Sequence, residues 1–393
     1  MKAGDIFEMT DFVSNGSFAS LRENVEYLDH PDYAVLVRLA DYSSGFDSSR
    51  FVYVSKKSYE YLAKSKLFGG EIIMSNVGSV GKSFICPDLG CPMTIGPNAV
   101  LIRSKNNAFF QYYFQTEEFQ RKLLSISSKA TLLKFNKTNF KTLDIPVPPL
   151  TEQSRIVDIL DREFAKIDAL KANAEKSLQA AKDLFQATLK KELEPKEGWK
   201  KYCLKDVCTD YGDYGMSLPS KAYESVRYLR ITDITEWGEL NNNSVSVDAD
   251  VIEDRYMLKD GDVLFARTGA TVGKTLIYDP SFGECCYAGY LIRYRPDKSI
   301  VLPRMLYYIT HSSPYYEWVA TNQKSATLPN ISAKLYNGFE LTLPSIMEQE
   351  DIVSRLDILA EKSKDLNGNY QKTLTLCDDL KQSFLRKAFN GEL

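Results

Sequence analysis

Two short stretches hold residue types that could cradle a phosphate: "GSVGKS" at Gly78–Ser83 and "GATVGKT" at Gly269–Thr275. A nucleotide loop needs four residues between its glycines, then a helix whose first N–H groups hold the phosphates. Neither stretch has that spacing, and both run into strand-like residues, "FICPD" and "LIYD". They read as hairpin turns whose glycines supply positive φ. Other chemistry lacks its parts. Seven cysteines (Cys86, Cys91, Cys203, Cys208, Cys285, Cys286, Cys377) form no C-x-x-C pair, and only His30 and His311 could help them. No metal site is expected, and the thiols read as reduced and mostly buried. The sole Pro-Pro, in "VPPL", lacks the flanking polar and aromatic residues of an amino-methyltransferase. No acidic cluster precedes a Glu-x-Lys as in metal-dependent nucleases, and the two histidines support no nucleophile–His–acid triad. No catalytic residue is assigned, and the chain is not expected to be an enzyme.

The elements around these turns must therefore carry something other than catalysis. The chain has 393 residues, 44% hydrophobic and 26% charged, an ordinary globular composition with room for two or three domains. No apolar run approaches the roughly 18 residues of a membrane span. The opening "MKAGDIFEMTDFVSNG" has no apolar leader, so a cytoplasmic location is expected. The net charge of −3 is no general signature of a nucleic-acid binder, although a local basic patch would suffice.

The strongest signal is an internal repeat. "VPPLTEQSRIVDIL" (Val147–Leu160) and "TLPSIMEQEDIVSRL" (Thr342–Leu356) align with Glu152-Gln153 and Glu348-Gln349 196 positions apart. The match runs on through Leu160-Asp161 and Leu356-Asp357 to Lys191 and Lys387. Upstream, "GGEIIMSNVGSVGKSFI" resembles "DGDVLFARTGATVGKTLI" with one residue inserted. The chain is close to two copies of one unit, each a globular half followed by a long helix.

Each helix opens after a proline with Glu near the start, favourable at a helix amino terminus. Apolar residues then recur at a period near 3.5, the pattern of a coiled coil. The helix-pairing seam is expected to include Ile156, Leu160, Ile167, Leu170, Ile352, Leu356, Leu359 and Leu366. Pro195 stops the first helix and Asn390-Gly391 ends the second. Chain order favours an antiparallel pair. The globular halves carry β-type runs such as "YAVLVRLADY", "VRYLRITDI", "EIIMSNV", "DVLFART", "AVLIRS" and "YLIRYRP". One shorter helix is expected after each set, in "AFFQYYFQTEEFQRKLLSI" and "LPRMLYYITHSSPYYEWVA". The expected fold is α+β: two β-rich mixed domains, at 1–150 and 195–347, separated by two long helices, at 151–194 and 348–393, that form an antiparallel coiled coil with a pseudo-twofold repeat.

P-x-x-x-E-Q-x-x-I-V-x-x-L, opening a long helix twice after divergent β-rich halves, resembles the specificity subunit of a type I restriction–modification enzyme. The ending "LKQSFLRKAFNGEL" is similar to that family's terminal helix. The likeness covers essentially the whole chain, although the first half lacks the Trp-containing entry seen at "GWKKYCLKDVC". It implies that the halves are target recognition domains, each reading one half of a bipartite, asymmetric site in double-stranded DNA. It implies that the helices set the spacing and dock two methylation subunits, which recruit two restriction subunits. Catalysis and S-adenosylmethionine would sit on those partners, with no cofactor on this chain. The competing reading is a coiled-coil scaffold joining two protein-binding domains without DNA contact.

Side-chain chemistry then selects DNA-binding positions, since basic and small polar groups hold phosphates and read base edges. In the first half these are Ser17, Asn76, Ser79, Lys82, Lys129, Lys134 and Asn136. In the second they are Tyr214, Ser217, Arg267, Thr268, Thr271, Lys274, Lys324 and Ser325. The ordinary role of any one such Lys or Ser is a solvated surface; as sets they become informative. Residues 1–150 hold 17 basic and 15 acidic side chains, and 195–347 hold 17 and 19. Neither half is strongly basic, so much phosphate affinity is expected from partners.

Overall fold

A computed structural model describes residues 1–129, 132–235, 237–323 and 329–393. Two compact units result, one from Met1–Ala174 with Thr373–Leu393 and one from Glu175–Lys372.

In the first unit, β1 (Glu8–Asp11), β2 (Ile72–Ser75), β3 (Ser83–Ile85) and β4 (Ala99–Arg103) form an antiparallel sheet in the order β1-β4-β2-β3. Strands β2 and β4 are hydrophobic on both faces, and Ile72, Ile73, Met74, Val100, Leu101 and Ile102 are fully buried. One face meets a second small sheet that includes the parallel pair Val35–Val37 and Met93–Ile95. The other meets helices α1 (Asn107–Phe114), α2 (Glu117–Ser125) and α3 (Lys137–Lys141). Helix α4 (Leu150–Glu192) follows.

The second unit repeats this plan. Strands β5 (Asp213–Tyr214), β6 (Val263–Ala266), β7 (Thr275–Ile277) and β8 (Leu291–Tyr294) take the same order, β5-β8-β6-β7. The parallel pair recurs as Arg227–Leu229 beside Cys285–Tyr287. Helices α5 (Pro303–Thr310), α6 (Ser313–Asn322) and α7 (Ala333–Asn337) precede α8 (Ile346–Asn390).

The single short helix expected in each half is two helices. Thr116 breaks the first, because its hydroxyl accepts the Phe119 N–H at 3.2 Å and starts a new helix. Pro314 breaks the second in the same way, seated in the first turn of α6 where its missing N–H costs nothing. The entry strand also differs between units. Lys200–Cys203 pairs with Glu340–Leu343 over four residues, where the first unit shows one bridge, Lys2 to Asp144.

The repeated Glu-Gln has a physical reason. Gln153 Nε2 donates to the Pro148 carbonyl at 2.9 Å, and Gln349 Nε2 donates to the Pro344 carbonyl at 3.1 Å. Each buried amide ties the helix start to the proline that stops the chain before it. Gln349 also takes the Leu302 N–H and donates to the Ile300 carbonyl, both at 2.9 Å. A second fastening recurs beside it. Tyr112 on α1 donates to Asp161 on α4, and Tyr308 on α5 donates to Asp357 on α8, each at 2.5 Å.

The helices pair antiparallel within each unit. In the first, Lys171 meets Asp378 at 2.7 Å, Lys381 meets Asp168 at 2.5 Å, and Arg155 donates to the Leu393 carbonyl at 3.0 Å. In the second, Arg355 meets Glu192 at 2.7 Å. Ile156, Leu160 and Ile167 share the first core with Cys377, Leu385 and Ala388. Ile352 and Leu356 share the second with Phe185 and Leu189, and Leu359 packs on it half-buried.

Two seam residues are corrected. Leu170 is 51% exposed and Leu366 45% exposed. A straight α-helix turns 3.6 residues at a time, so the buried stripe steps from Ile167 through Lys171 to Ala174. The apolar Leu170 sits about one residue, roughly 100°, off that stripe. The equivalent stripe in α8 passes from Ser363 through Asn367, leaving Leu366 outside.

Candidate nucleic-acid interface

The glycine-containing turns are hairpins. The first joins β2 to β3, with Gly78 and Gly81 at φ +77° and +85°. The second joins β6 to β7, with Gly269 and Gly273 at +71° and +89°. Equivalent hydrogen bonds close both: Ser75 N–H to Lys82 carbonyl and Gly81 N–H to Ser75 carbonyl in one, Ala266 N–H to Lys274 carbonyl and Gly273 N–H to Ala266 carbonyl in the other. Lys82 and Lys274 are thus structural counterparts, and the extra residue lies inside the second hairpin.

A second segment lies against each hairpin, and the same bonds hold it. The Gly78 N–H donates to Leu133 and the Phe135 N–H to Asn76. In the other unit the Gly269 N–H donates to Pro329 and the Ile331 N–H to Arg267. Isolated bridges join Val77 to Lys134 and Thr268 to Asn330. Asn76, Ser79, Lys82 and Lys134 are therefore on neighbouring loops. So are Arg267, Thr268, Thr271 and Lys274. Ser79, Lys82 and Lys134 are exposed, while Asn76, Arg267, Thr268, Thr271 and Lys274 are half-buried. Lys82 is held loosely, 3.3 Å from the Ser43 hydroxyl and over the Tyr42 ring.

Other predicted positions serve the fold or lie apart. Ser17 caps the helix Phe18–Asn24 by accepting the Ser20 N–H, and Asn136 caps α3 by accepting the Asn139 N–H at 2.7 Å. Those acceptors are occupied, which is why small polar residues sit there. Thr268 and Thr271 hydroxyls donate to the Pro329 and Thr268 carbonyls, so both stiffen the second hairpin. Lys129 is in the strand Ser128–Lys129, and its side chain is outside the described residues, as are Lys324 and Ser325 entirely. Ser217 is exposed and close to the Gly289 backbone.

Tyr214 reaches the second hairpin. Its ring lies 4.9 Å from the Arg267 guanidinium carbon, and its hydroxyl accepts the Ala333 N–H at 2.9 Å. Gly215 permits this, since a Cβ there would lie 2.3 Å from the Tyr287 carbonyl oxygen. The neighbouring Asp213 is bonded to buried Arg293, which also donates to the Arg255 carbonyl. Burial pushes the Asp210 carboxyl, beside that same arginine, above its ordinary range.

Two further residues escaped the sequence reading. Arg38 clasps Asp41 by backbone N–H, Nε and Nη2, at 2.7, 3.2 and 2.7 Å. Arg230 clasps Asp233 in the same way, at 2.9, 3.1 and 2.8 Å. Both carboxylates are buried, while both guanidiniums keep an exposed side. The signal was present as Arg-x-x-Asp in "VRLAD" and "LRITD", at the end of equivalent strands.

A family model described as the type I restriction modification DNA specificity domain matches residues 1–180 and again 196–376. The chain belongs to that family. It is 27% identical over 390 residues to the type I restriction enzyme EcoKI specificity subunit of Escherichia coli strain K12, covering 92% of this chain and 83% of that protein. The StySPI specificity subunit of Salmonella potsdam is 24% identical, with the same coverage. The fold is that of a chain solved in work on complex assembly and conformational transition of the type I R-M system, with TM-score 0.70, 18% identity, and 99% and 98% of the two chains covered. No described helix is long and apolar enough to cross a membrane.

Proposed function

We propose that this chain is the DNA-reading subunit of a type I restriction–modification complex. Its two globular halves, 1–150 and 195–347, each read one part of a split, asymmetric duplex target. The observation that carries the reading is one frame built twice, with matching hairpins and clasped helix starts but unlike side chains at the hairpin corners. Two different readers on one repeated frame call for a two-part target whose parts differ.

The long helices set the half-site spacing and dock two methylation subunits, which in turn recruit two restriction subunits. Leu170 and Leu366, like Leu184 and Leu380, are exposed leucines at equivalent places on α4 and α8. A twinned apolar site suits two copies of one partner. S-adenosylmethionine and catalysis belong to those partners. With near-balanced charge in each half, the isolated chain holds phosphates weakly and the assembly tightly.

Selection from random duplexes by the chain assembled with its methylation subunits tests the reading. Enrichment of two unlike short elements at fixed separation supports it. No enrichment would leave the chain a scaffold for other proteins.

A further inference from the structure

Strand register allows the two units to be compared position by position. Asp11, Val100 and Met74 stand abreast in one sheet, and Tyr214, Ile292 and Phe265 stand abreast in the other. Tyr214 therefore occupies the place of Asp11. One step past the strand ends, the Asn76 N–H donates to the Asn98 carbonyl and the Arg267 N–H to the Tyr290 carbonyl. Lys137 and Ala333 open α3 and α7, and each is bonded to the β1 or β5 residue: Lys137 Nζ to Asp11 at 2.8 Å, Ala333 N–H to the Tyr214 hydroxyl at 2.9 Å.

One corner thus appears twice with different chemistry. In the first unit its cation is spent internally, because Lys137 pairs with Asp11 and also bonds the Ser14 hydroxyl at 2.5 Å. In the second, Arg267 has no carboxylate partner among the described residues. Its Nε is buried without a hydrogen-bond partner. Its guanidinium carbon sits 4.9 Å from the Tyr214 ring centre. A guanidinium carried on an aromatic ring loses side-chain freedom while keeping its N–H donors. Two parallel donors on its edge match O6 and N7 of guanine in the major groove.

We infer that Arg267, steadied by Tyr214, reads a guanine in the half-site taken by the second unit, and that the Asp11–Asn76–Lys137 corner makes no equivalent guanine contact. This rests on the DNA-reading role proposed above. Tyr214 is a positioning residue, and its two jobs are separable: the ring carries the guanidinium, and the hydroxyl anchors α7.

The test is the methylation pattern made by the full chain co-expressed with its methylation subunit, for wild type, Arg267→Lys, Arg267→Ala, Tyr214→Phe and Tyr214→Ala. A wild-type pattern with no two-part motif would defeat the DNA-reading proposal itself. Given such a motif, Arg267→Ala is expected to lower the preference for guanine at one position of one half-site about tenfold or more, leaving the other half-site intact. Arg267→Lys, which keeps the charge without the two-pronged edge, is expected to relax the same position. It decides the matter if Arg267→Ala does not assemble. Tyr214→Phe keeps the motif, and Tyr214→Ala relaxes that position too. An unchanged motif in both arginine variants overturns the inference, and so does relaxation spread over both half-sites. An unchanged motif in Tyr214→Ala, beside a relaxed Arg267→Ala, overturns the positioning role.

Discussion

At the scale of single residues, the equivalent buried amides of Gln153 and Gln349 are satisfied differently in the two halves. Gln349 makes three hydrogen bonds through its buried amide, whereas Gln153 makes one and leaves Oε1 without a partner. Removing a buried partner strands the groups it satisfied. Gln349→Ala is therefore expected to cost about 2–4 kcal/mol in urea unfolding, and Gln153→Ala about 1 kcal/mol. Equal costs would refute that difference. His311 offers a pH test. It is enclosed beside Tyr307, 2.8 Å from that residue's carbonyl, and burial lowers its pKa from 6.5 to about 4. The unfolded chain then binds the extra proton below about pH 6.5, so the contribution is complete above that pH and declines as pH falls toward about 4. The loss is on the order of 3 kcal/mol at most. Unfolding midpoints at pH 7.5 and 5 should fall less for His311→Gln than for wild type, and an identical fall would contradict the assignment. At this scale the sequence was legible only where offsets were constant. Gln153 and Gln349 aligned at once. Tyr214 and Asp11 did not, because loops of different length separate each from the elements that share its sheet. The Arg38 and Arg230 clasps were hidden inside stretches that read simply as strands.

At the scale of elements, the long helices were legible because caps and periodicity agree. Their contacts were only partly so. A period of 3.5 picks the nearest apolar residue, but the stripe that packs follows the turn of the helix and accepts Lys171 in preference to Leu170. The Lys stem covers the seam while its ammonium reaches Asp378. The consequence is a split among leucines that sequence alone makes look alike. Leu160→Ala or Leu356→Ala, at fully buried sites, should each destabilise the chain by about 2–5 kcal/mol. Leu170→Ala with Leu366→Ala should change its stability by only about 0.5 kcal/mol or less. The same double variant should weaken co-purification with the methylation subunit. Unchanged recovery of the complex would remove these leucines from the docking surface. The two-helix breaks at Thr116 and Pro314 have signals, a cap residue and a first-turn proline, but a continuous apolar pattern across each hides them.

At the scale of the whole molecule, duplication is the organising fact. The frame was preserved where packing demands it: in strand order, in the pairs Arg103–Glu71 and Arg295–Asp262 with their buried carboxylates, and in the helix starts. It diverged at the hairpin corners, where Asn76 stands for Arg267 and Asp11 for Tyr214, and recognition can vary there while the frame is kept. Because neither half is strongly basic, the isolated chain should bind duplex more weakly than the assembled methyltransferase at matched salt. Equal affinity would contradict a division of labour in which the partners hold phosphates. The central claim, one frame carrying two unlike readers, is tested most directly by sequencing the methylated bases of the host with and without this chain. The account predicts one methylated motif, made of two different short elements at constant separation, that disappears with the chain. A motif that is uninterrupted, or whose two parts are the same, or that persists without the chain, would contradict it.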